Sequence, residues 1–135
     1  MTNEKTCACE AAPKLIFPCA GGSDTAEITF RAAKRLTECG VGKIYCLAGI
    51  GGRVRPIMEA TAGAESILAI DGCGADCAKL TLELAGFKGF KHLRVTDLGL
   101  RKGASPPNDQ SISLVAETAA KLLGADPNIL EGETA

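Results

Sequence analysis

Three cysteines that each follow a short apolar run recur at equal spacing along the chain. Cys19 comes after the run 15–18, Cys46 after residues 44–45, and Cys73 after the run 66–70, and each cysteine lies 27 positions after the previous one. One strand, one helix and two loops together take about this length, which is the repeating unit of a parallel α/β sheet. The spacing therefore predicts that the three cysteines occupy equivalent positions in successive units.

Strand and helix signals alternate in the order that such units require. Apolar runs predict strands at residues 14–18, 43–47, 66–70 and 92–98, and helical spacing with glycine stops predicts helices at 24–39, 55–62, 75–85 and 111–123. Asp24 and Glu27 match a capping box at the start of the first helix. The order βαβαβαβα predicts one three-layer α/β/α domain of the flavodoxin or Rossmann-like class, with a parallel four-stranded sheet in the order 2-1-3-4.

The length and the tails predict the domain organisation. A chain of 135 residues has room for a single domain with a buried core. We expect a flexible amino-terminal tail at residues 1–13 that carries Cys7 and Cys9, the α/β domain at 14–124, and a carboxyl-terminal tail at 125–135.

Composition argues against several classes of partner. The net charge is −1 and aromatic residues make up 4% of the chain, without a tryptophan, so neither attraction to nucleic acid or to anionic membranes nor base stacking is expected. No apolar run reaches the roughly 18 residues of a membrane span, and the amino terminus lacks a signal-peptide pattern. We therefore expect a cytoplasmic protein. Seven cysteines in a reducing compartment favour metal ligation or thiol chemistry over a disulfide scaffold.

Parallel α/β sheets bind their ligands beyond the carboxyl ends of the strands. Cys19, Cys46 and Cys73 follow such ends, and Cys77 begins the helix after the third strand, where the helix dipole favours a thiolate. Adjacent strands lie about 4.8 Å apart, and sulfurs that share a tetrahedral zinc are roughly 3.8 Å apart, so side-chain reach permits a common site. The spacing alone leaves three interpretations open: metal ligation, thiol chemistry without metal, and cysteines with no function.

Several motifs together resemble the DGC-domain family, small bacterial and archaeal proteins described as zinc-binding and named after an Asp-Gly-Cys element. The matching strings are Cys46-Leu47-Ala48-Gly49-Ile50-Gly51-Gly52, Ile70-Asp71-Gly72-Cys73 with Cys77, and Thr96-Asp97-Leu98-Gly99 with Lys102. The likeness covers residues 15–123, and it implies an α/β domain with zinc ligands at Cys19, Cys46, Cys73 and Cys77. Ala20 follows Cys19 where the family often has serine.

Two functional hypotheses follow. In the first, the protein binds zinc; four thiolates would make a closed structural or storage site, whereas three would leave a position for water or substrate that Asp71 could assist. In the second, the protein is a thiol-dependent reductase or an oxyanion-processing enzyme with Cys46 or Cys77 as nucleophile. Asp71, Asp97 and Lys102 are the residues expected to orient a ligand or contact a substrate. An iron–sulfur cluster is a third option.

For Arg53, His92 and Cys39, an interpretation without catalysis or metal binding is favoured. Cys46 followed by glycines and Arg53 resembles the phosphate loop of cysteine phosphatases, but six residues separate the two where that loop has five. His92 is predicted to be a surface residue at the edge opposite the cysteines. Cys39 belongs to the apolar stripe of the first helix and is predicted to be buried there.

Overall fold

The computed structural model describes residues 12–134 of the chain. Residues 1–11 of the predicted amino-terminal tail, which include Cys7 and Cys9, lie outside the described residues. None of the helices in the described part is both long and apolar enough to cross a bilayer.

Four parallel strands form one sheet in the order β2-β1-β3-β4, which confirms the predicted 2-1-3-4 topology. The strands are β1 (Lys14–Pro18), β2 (Lys43–Ile44), β3 (Ser66–Asp71) and β4 (Lys91–Arg94). The longest pairing joins the two central strands over five residue pairs, from Lys14 beside Ser66 to Pro18 beside Ile70. The carboxyl ends of all four strands therefore meet at one edge, called here the carboxyl edge.

Helices connect the strands and follow the last one. They are α1 (Asp24–Glu38), α2 (Leu47–Gly51), α3 (Arg55–Ala62), α4 (Cys77–Leu84), α5 (Asp109–Leu122) and α6 (Ile129–Thr134), and a 3₁₀ helix (Val95–Leu98) follows β4. The bounds of α3 match the prediction because Pro56 suits the first turn and Gly63 follows the last.

Alternating side chains of the strands pack on the two faces of the sheet, as a strand buried on both sides requires. Ile16 packs with Ile28 of α1 and Val115 of α5, whereas Phe17 packs on the opposite face with Ile50 of α2 and Leu82 of α4. All of these side chains are completely buried. The sheet thus lies between two helical layers, which confirms the three-layer prediction.

Two strands are shorter than predicted, and in each case a helix takes the remaining residues. The strand predicted at 43–47 ends at Ile44, because Cys46 caps α2 by accepting the backbone N–H of Gly49 at its sulfur. The strand predicted at 92–98 ends at Arg94, and the following 3₁₀ helix buries Val95. In contrast, β3 runs one residue further than predicted, to Asp71.

The ends of the helices also differ in detail from the prediction. Ser23, not Asp24, caps α1, because its hydroxyl accepts the backbone N–H of Ala26. The helix predicted from residue 75 begins at Cys77, since Asp76 has left-handed backbone angles that a helix cannot contain. Asn108 caps α5, which begins two residues earlier than predicted.

The predicted carboxyl-terminal tail contains a helix. Residues Ile129–Thr134 form α6, and the side chain of Leu130 is buried against the core between α1 and α5. Periodicity missed this helix because it is only 6 residues long.

Candidate functional site

The four predicted ligand cysteines all belong to segments at the carboxyl edge. Cys19 directly follows β1, Cys46 caps α2 two residues after β2, Cys73 lies two residues after β3, and Cys77 is the first residue of α4. Cys46 and Cys77 are exposed, and the other two are partly exposed. All four residues are therefore at least partly accessible from solvent.

Cys19 and Cys46 line the same groove, which has a volume of about 520 Å³. The backbone N–H of Cys19 donates to the carbonyl of Ile70 at 2.9 Å, so this cysteine lies beside the end of β3. Its sulfur is 3.7 Å from the hydroxyl of Thr29. Tyr45, together with neighbouring apolar side chains, supplies most of the remaining groove wall.

Cys73 is next to the predicted lysine. The Nζ atom of Lys102 lies 3.8 Å from the sulfur of Cys73. The carboxylate of Asp24 holds the loop that carries this lysine, because it accepts the backbone N–H groups of Gly103 at 2.9 Å and Ser105 at 3.0 Å. These hydrogen bonds lower the pKa of Asp24, and the bond from Gly103 has the largest effect. The loop therefore presents a positive charge to a sulfur that would be negative as a metal ligand.

Asp71 anchors the start of α4. Its carboxylate is 1% exposed, and it accepts the backbone N–H of Ala78 at 2.7 Å and that of Lys79 at 3.0 Å. These are two of the helix donors that have no partner within the helix, and Asp76 at the cap position makes no side-chain cap bond. Both oxygens of Asp71 are thus already engaged, which leaves the carboxylate poorly placed to act as a base for a bound water.

Asp76 forms an ion pair with Arg94 of β4. The Nε and Nη2 atoms of Arg94 donate to the two carboxylate oxygens at 2.9 Å and 2.6 Å. This bidentate contact lowers the pKa of Asp76 and raises that of Arg94. Asp97, predicted to contact a ligand, lies in the 3₁₀ helix with a side chain that is 64% exposed, 3.4 Å from Arg94.

His92 does not lie at the opposite edge, so that prediction is wrong. It belongs to β4, opposite Ala69, and its Nε2 atom is 2.9 Å from Oδ2 of Asp71 and 3.7 Å from Oδ1 of Asp76. The strand β4 pairs only with the last four residues of β3, Leu68–Asp71, so its second residue, His92, lies near the carboxyl edge and its imidazole reaches Asp71. Strand alternation puts His92 and Arg94 on one face of the sheet, but only the register shows that this face meets Asp71.

Within the described residues, one group of three potential ligands has all its ligand atoms within 4.8 Å of one another, and it consists of Asp71, Asp76 and His92 rather than cysteines. This group fits a cation poorly. Two amides and the imidazole occupy the oxygens of Asp71, and the guanidinium of Arg94 already places a positive charge on Asp76. A second cation there would be repelled. The softer thiols are the better donor set for zinc.

Arg53 is not arranged as the arginine of a phosphate loop. Its guanidinium donates to the carbonyls of Ile50, Gly51 and Leu84, at the ends of α2 and α4. In addition, the residues after Cys46 form α2 instead of an open loop. The resemblance to cysteine phosphatases is therefore contradicted.

Comparison with known protein families matches the DGC domain over residues 15–120. The chain belongs to the DGC-domain family. A relative of this DGC protein is the Anaerobic and virulence modulator AnvM of Pseudomonas aeruginosa, which is 32% identical over 88 residues, covering 65% of this chain and 67% of AnvM. No solved structure matches the chain.

The fold gives a physical reason for the Asp-Gly-Cys element of this DGC domain. Asp71 ends β3 and anchors α4, as described above. A Cβ atom on Gly72 would lie 2.9 Å from the backbone of Thr25 and of Ala26, so only glycine lets the start of α1 approach β3. Cys73 then emerges at the carboxyl edge. In three consecutive residues, the element thus supplies a carboxylate that binds the first turn of α4, a glycine that allows close contact with α1, and a thiol at the carboxyl edge.

Proposed function

We propose that the protein binds zinc through the thiolates of Cys19, Cys46, Cys73 and Cys77. The main support is that four cysteines from three separate segments of the chain follow strand ends at one edge of the sheet and are at least partly exposed. Their thiolates are the ligands that structural zinc prefers, and membership of the DGC-domain family agrees with metal binding.

Binding would include a rearrangement of side chains at this edge. Sulfurs around one zinc ion are roughly 3.8 Å apart, whereas no three cysteine sulfurs in the described residues lie within 4.8 Å of one another. Zinc would draw these thiols together. Four sulfurs would make a closed structural or storage site, and three would leave one position for water or a substrate.

Metal analysis of protein purified anaerobically without added metal tests this proposal. We expect about one zinc per chain, and a clear loss in each single Cys→Ser variant at the four positions. Cys39→Ser is the matched control, because Cys39 packs at the end of α1 against the core, and it should retain the metal. Iron and visible absorption in place of zinc would indicate an iron–sulfur cluster.

A thiol enzyme is the second candidate, and one observation favours it. Cys46 and Cys77 are the two exposed cysteines among the described residues; the first caps α2 and the second is the first residue of α4. Either thiol is therefore accessible as a nucleophile. Metal-free protein with rapidly titrating thiols at these two positions would support the enzyme and contradict the zinc proposal.

A further inference from the structure

We propose that His92 and Arg94 of β4 are positioning residues that fix the Cys73–Cys77 segment for metal binding. This inference rests on the proposed zinc function. The two side chains contact two acidic residues of this part of the chain: Asp71, two residues before Cys73, and Asp76, directly before Cys77. Neither positioning residue lies next to a proposed ligand in the sequence.

Arg94 holds the residue that sets the direction of α4. Asp76 has φ 56° and ψ 42°, a left-handed conformation that residues with a Cβ atom seldom adopt. Two hydrogen bonds from Arg94 fix its carboxylate from the adjacent strand. Because Asp76 directly precedes Cys77, this pair determines how the chain enters the first turn of α4 and where the Cys77 thiol lies.

His92 acts on the same turn through Asp71. The imidazole contacts Oδ2 of Asp71, while the two carboxylate oxygens accept the backbone N–H groups of Ala78 and Lys79. The strand β4 is therefore connected to the second and third residues of α4 through one buried carboxylate. The contacts His92–Asp71 and Arg94–Asp76 hold the segment near both of its ends. We infer that they fix the position of Cys77 relative to Cys73.

The same cluster could instead be a metal site in its own right, and charge distinguishes the two interpretations. Arg94 compensates Asp76, and Asp71 is compensated by amide donors and by the imidazole. If Arg94 positions the segment, removal of its guanidinium weakens zinc binding by the cysteines. If the acidic cluster is itself a metal site, the same removal frees Asp76 and strengthens metal binding there. The substitution Arg94→Gln therefore gives opposite results for the two.

Zinc affinity, measured by competition with a chelator, is the first readout. We expect Arg94→Gln to weaken zinc binding by about 10- to 100-fold, as the loss of residues that orient metal ligands typically does, and Arg94→Lys to lie between this variant and the wild type. The matched control is Arg35→Gln, which removes a guanidinium paired with Asp109 and Ser113 between α1 and α5. The control should bind zinc within about twofold of the wild type, which separates positioning from a general loss of stability.

Two results would overturn the inference and leave the zinc proposal intact. One is wild-type zinc affinity in Arg94→Gln, and the other is a second equivalent of zinc bound by this variant, which would identify the acidic cluster as a metal site. If Arg94→Gln does not fold, His92→Leu tests the positioning role alone: we expect weaker zinc binding because the contact with Asp71 is lost, and wild-type affinity would overturn the inference. His92→Gln, whose amide can donate to Asp71, is then the conservative variant expected to restore binding.

A wild-type protein without zinc would overturn the zinc proposal, and the positioning role would then be decided on the metal-free chain. The rate of alkylation of Cys77 by iodoacetamide is compared with that of Cys46 in the same molecule. Loss of the ordered first turn of α4 should shift this ratio in Arg94→Gln, where the hydrogen bonds to Asp76 are removed, and leave it unchanged in Arg35→Gln. An unchanged ratio in both variants would contradict positioning.

Discussion

The substitution Asp71→Asn removes the charge at the base of the Asp-Gly-Cys element with almost no change in size. The carboxylate is 1% exposed and accepts two backbone N–H groups of α4 while contacting His92. An asparagine has one acceptor oxygen, so its amide nitrogen must face one of the two N–H donors. One buried donor of the helix then has no partner.

The expected cost follows from these contacts. A hydrogen bond to a charged group contributes about 1.5–3 kcal/mol, and loss of a helix cap costs about 0.5–2 kcal/mol. Because both describe overlapping contacts, we expect Asp71→Asn to lower the free energy of unfolding by about 2–4 kcal/mol. This is a large share of the roughly 5–15 kcal/mol that stabilises a typical domain.

Urea denaturation at neutral pH measures this loss. Asp109→Asn is the matched control, since its carboxylate is 81% exposed and its contact with Arg35 lies at the surface; such pairs contribute about 0–1 kcal/mol. If Asp71→Asn cost no more than Asp109→Asn, Asp71 would not be the anchor of α4, and the explanation of the motif given above would be wrong.

Three further predictions concern the backbone and the ion pair at the carboxyl edge. Gly72→Ala should lower the free energy of unfolding by about 1–3 kcal/mol because its Cβ would contact backbone at 2.9 Å, whereas Gly74→Ala, with nothing within 4 Å, should have little effect; equal urea midpoints would contradict this. Ala20→Gly should raise stability by roughly 0.5–1 kcal/mol, since the exposed alanine has φ 55° and glycine removes the left-handed strain at a smaller entropic cost; a loss of stability would contradict it. The pKa of Asp76 is lowered in the folded protein, so its contribution is present above its ordinary value of 3.8 and is lost as the pH falls below that value. Urea titrations from pH 6 to pH 2 should therefore show a smaller loss of stability on acidification for Arg94→Gln than for the wild type, and parallel curves would refute the assignment.

Much of the fold follows from local sequence signals. The alternation of Leu15, Ile16 and Phe17 suits a strand covered on both faces, and the structure packs these residues accordingly. The glycines at positions 63, 86 and 124 mark helix ends within a residue or two. Because each strand returns in the same direction after its crossover, the parallel sheet could also be predicted, and the expected order 2-1-3-4 is confirmed.

The polar cluster beneath the cysteines could not be predicted, because it depends on contacts between distant residues. Asp71 and His92 are 21 residues apart, and a shift of one residue in the pairing of β4 would turn the imidazole to the other face. The sequence indicated Asp71 through its place in a motif, whereas His92 and Arg94 belong to a short strand without a motif. The apolar run likewise predicts a strand through Cys46, whereas the strand ends at Ile44 and the sulfur of Cys46 caps α2.

X-ray absorption at the zinc edge of the anaerobically purified protein tests the central claim most directly, because it identifies the atoms bound to the metal. Ligation by the cysteines of the carboxyl edge predicts sulfur neighbours at about 2.3 Å, four for a closed site or three with one oxygen for an open one. A shell made only of nitrogen and oxygen at about 2.0–2.2 Å would place the metal on the carboxylates and the histidine, and it would contradict the proposed thiolate site.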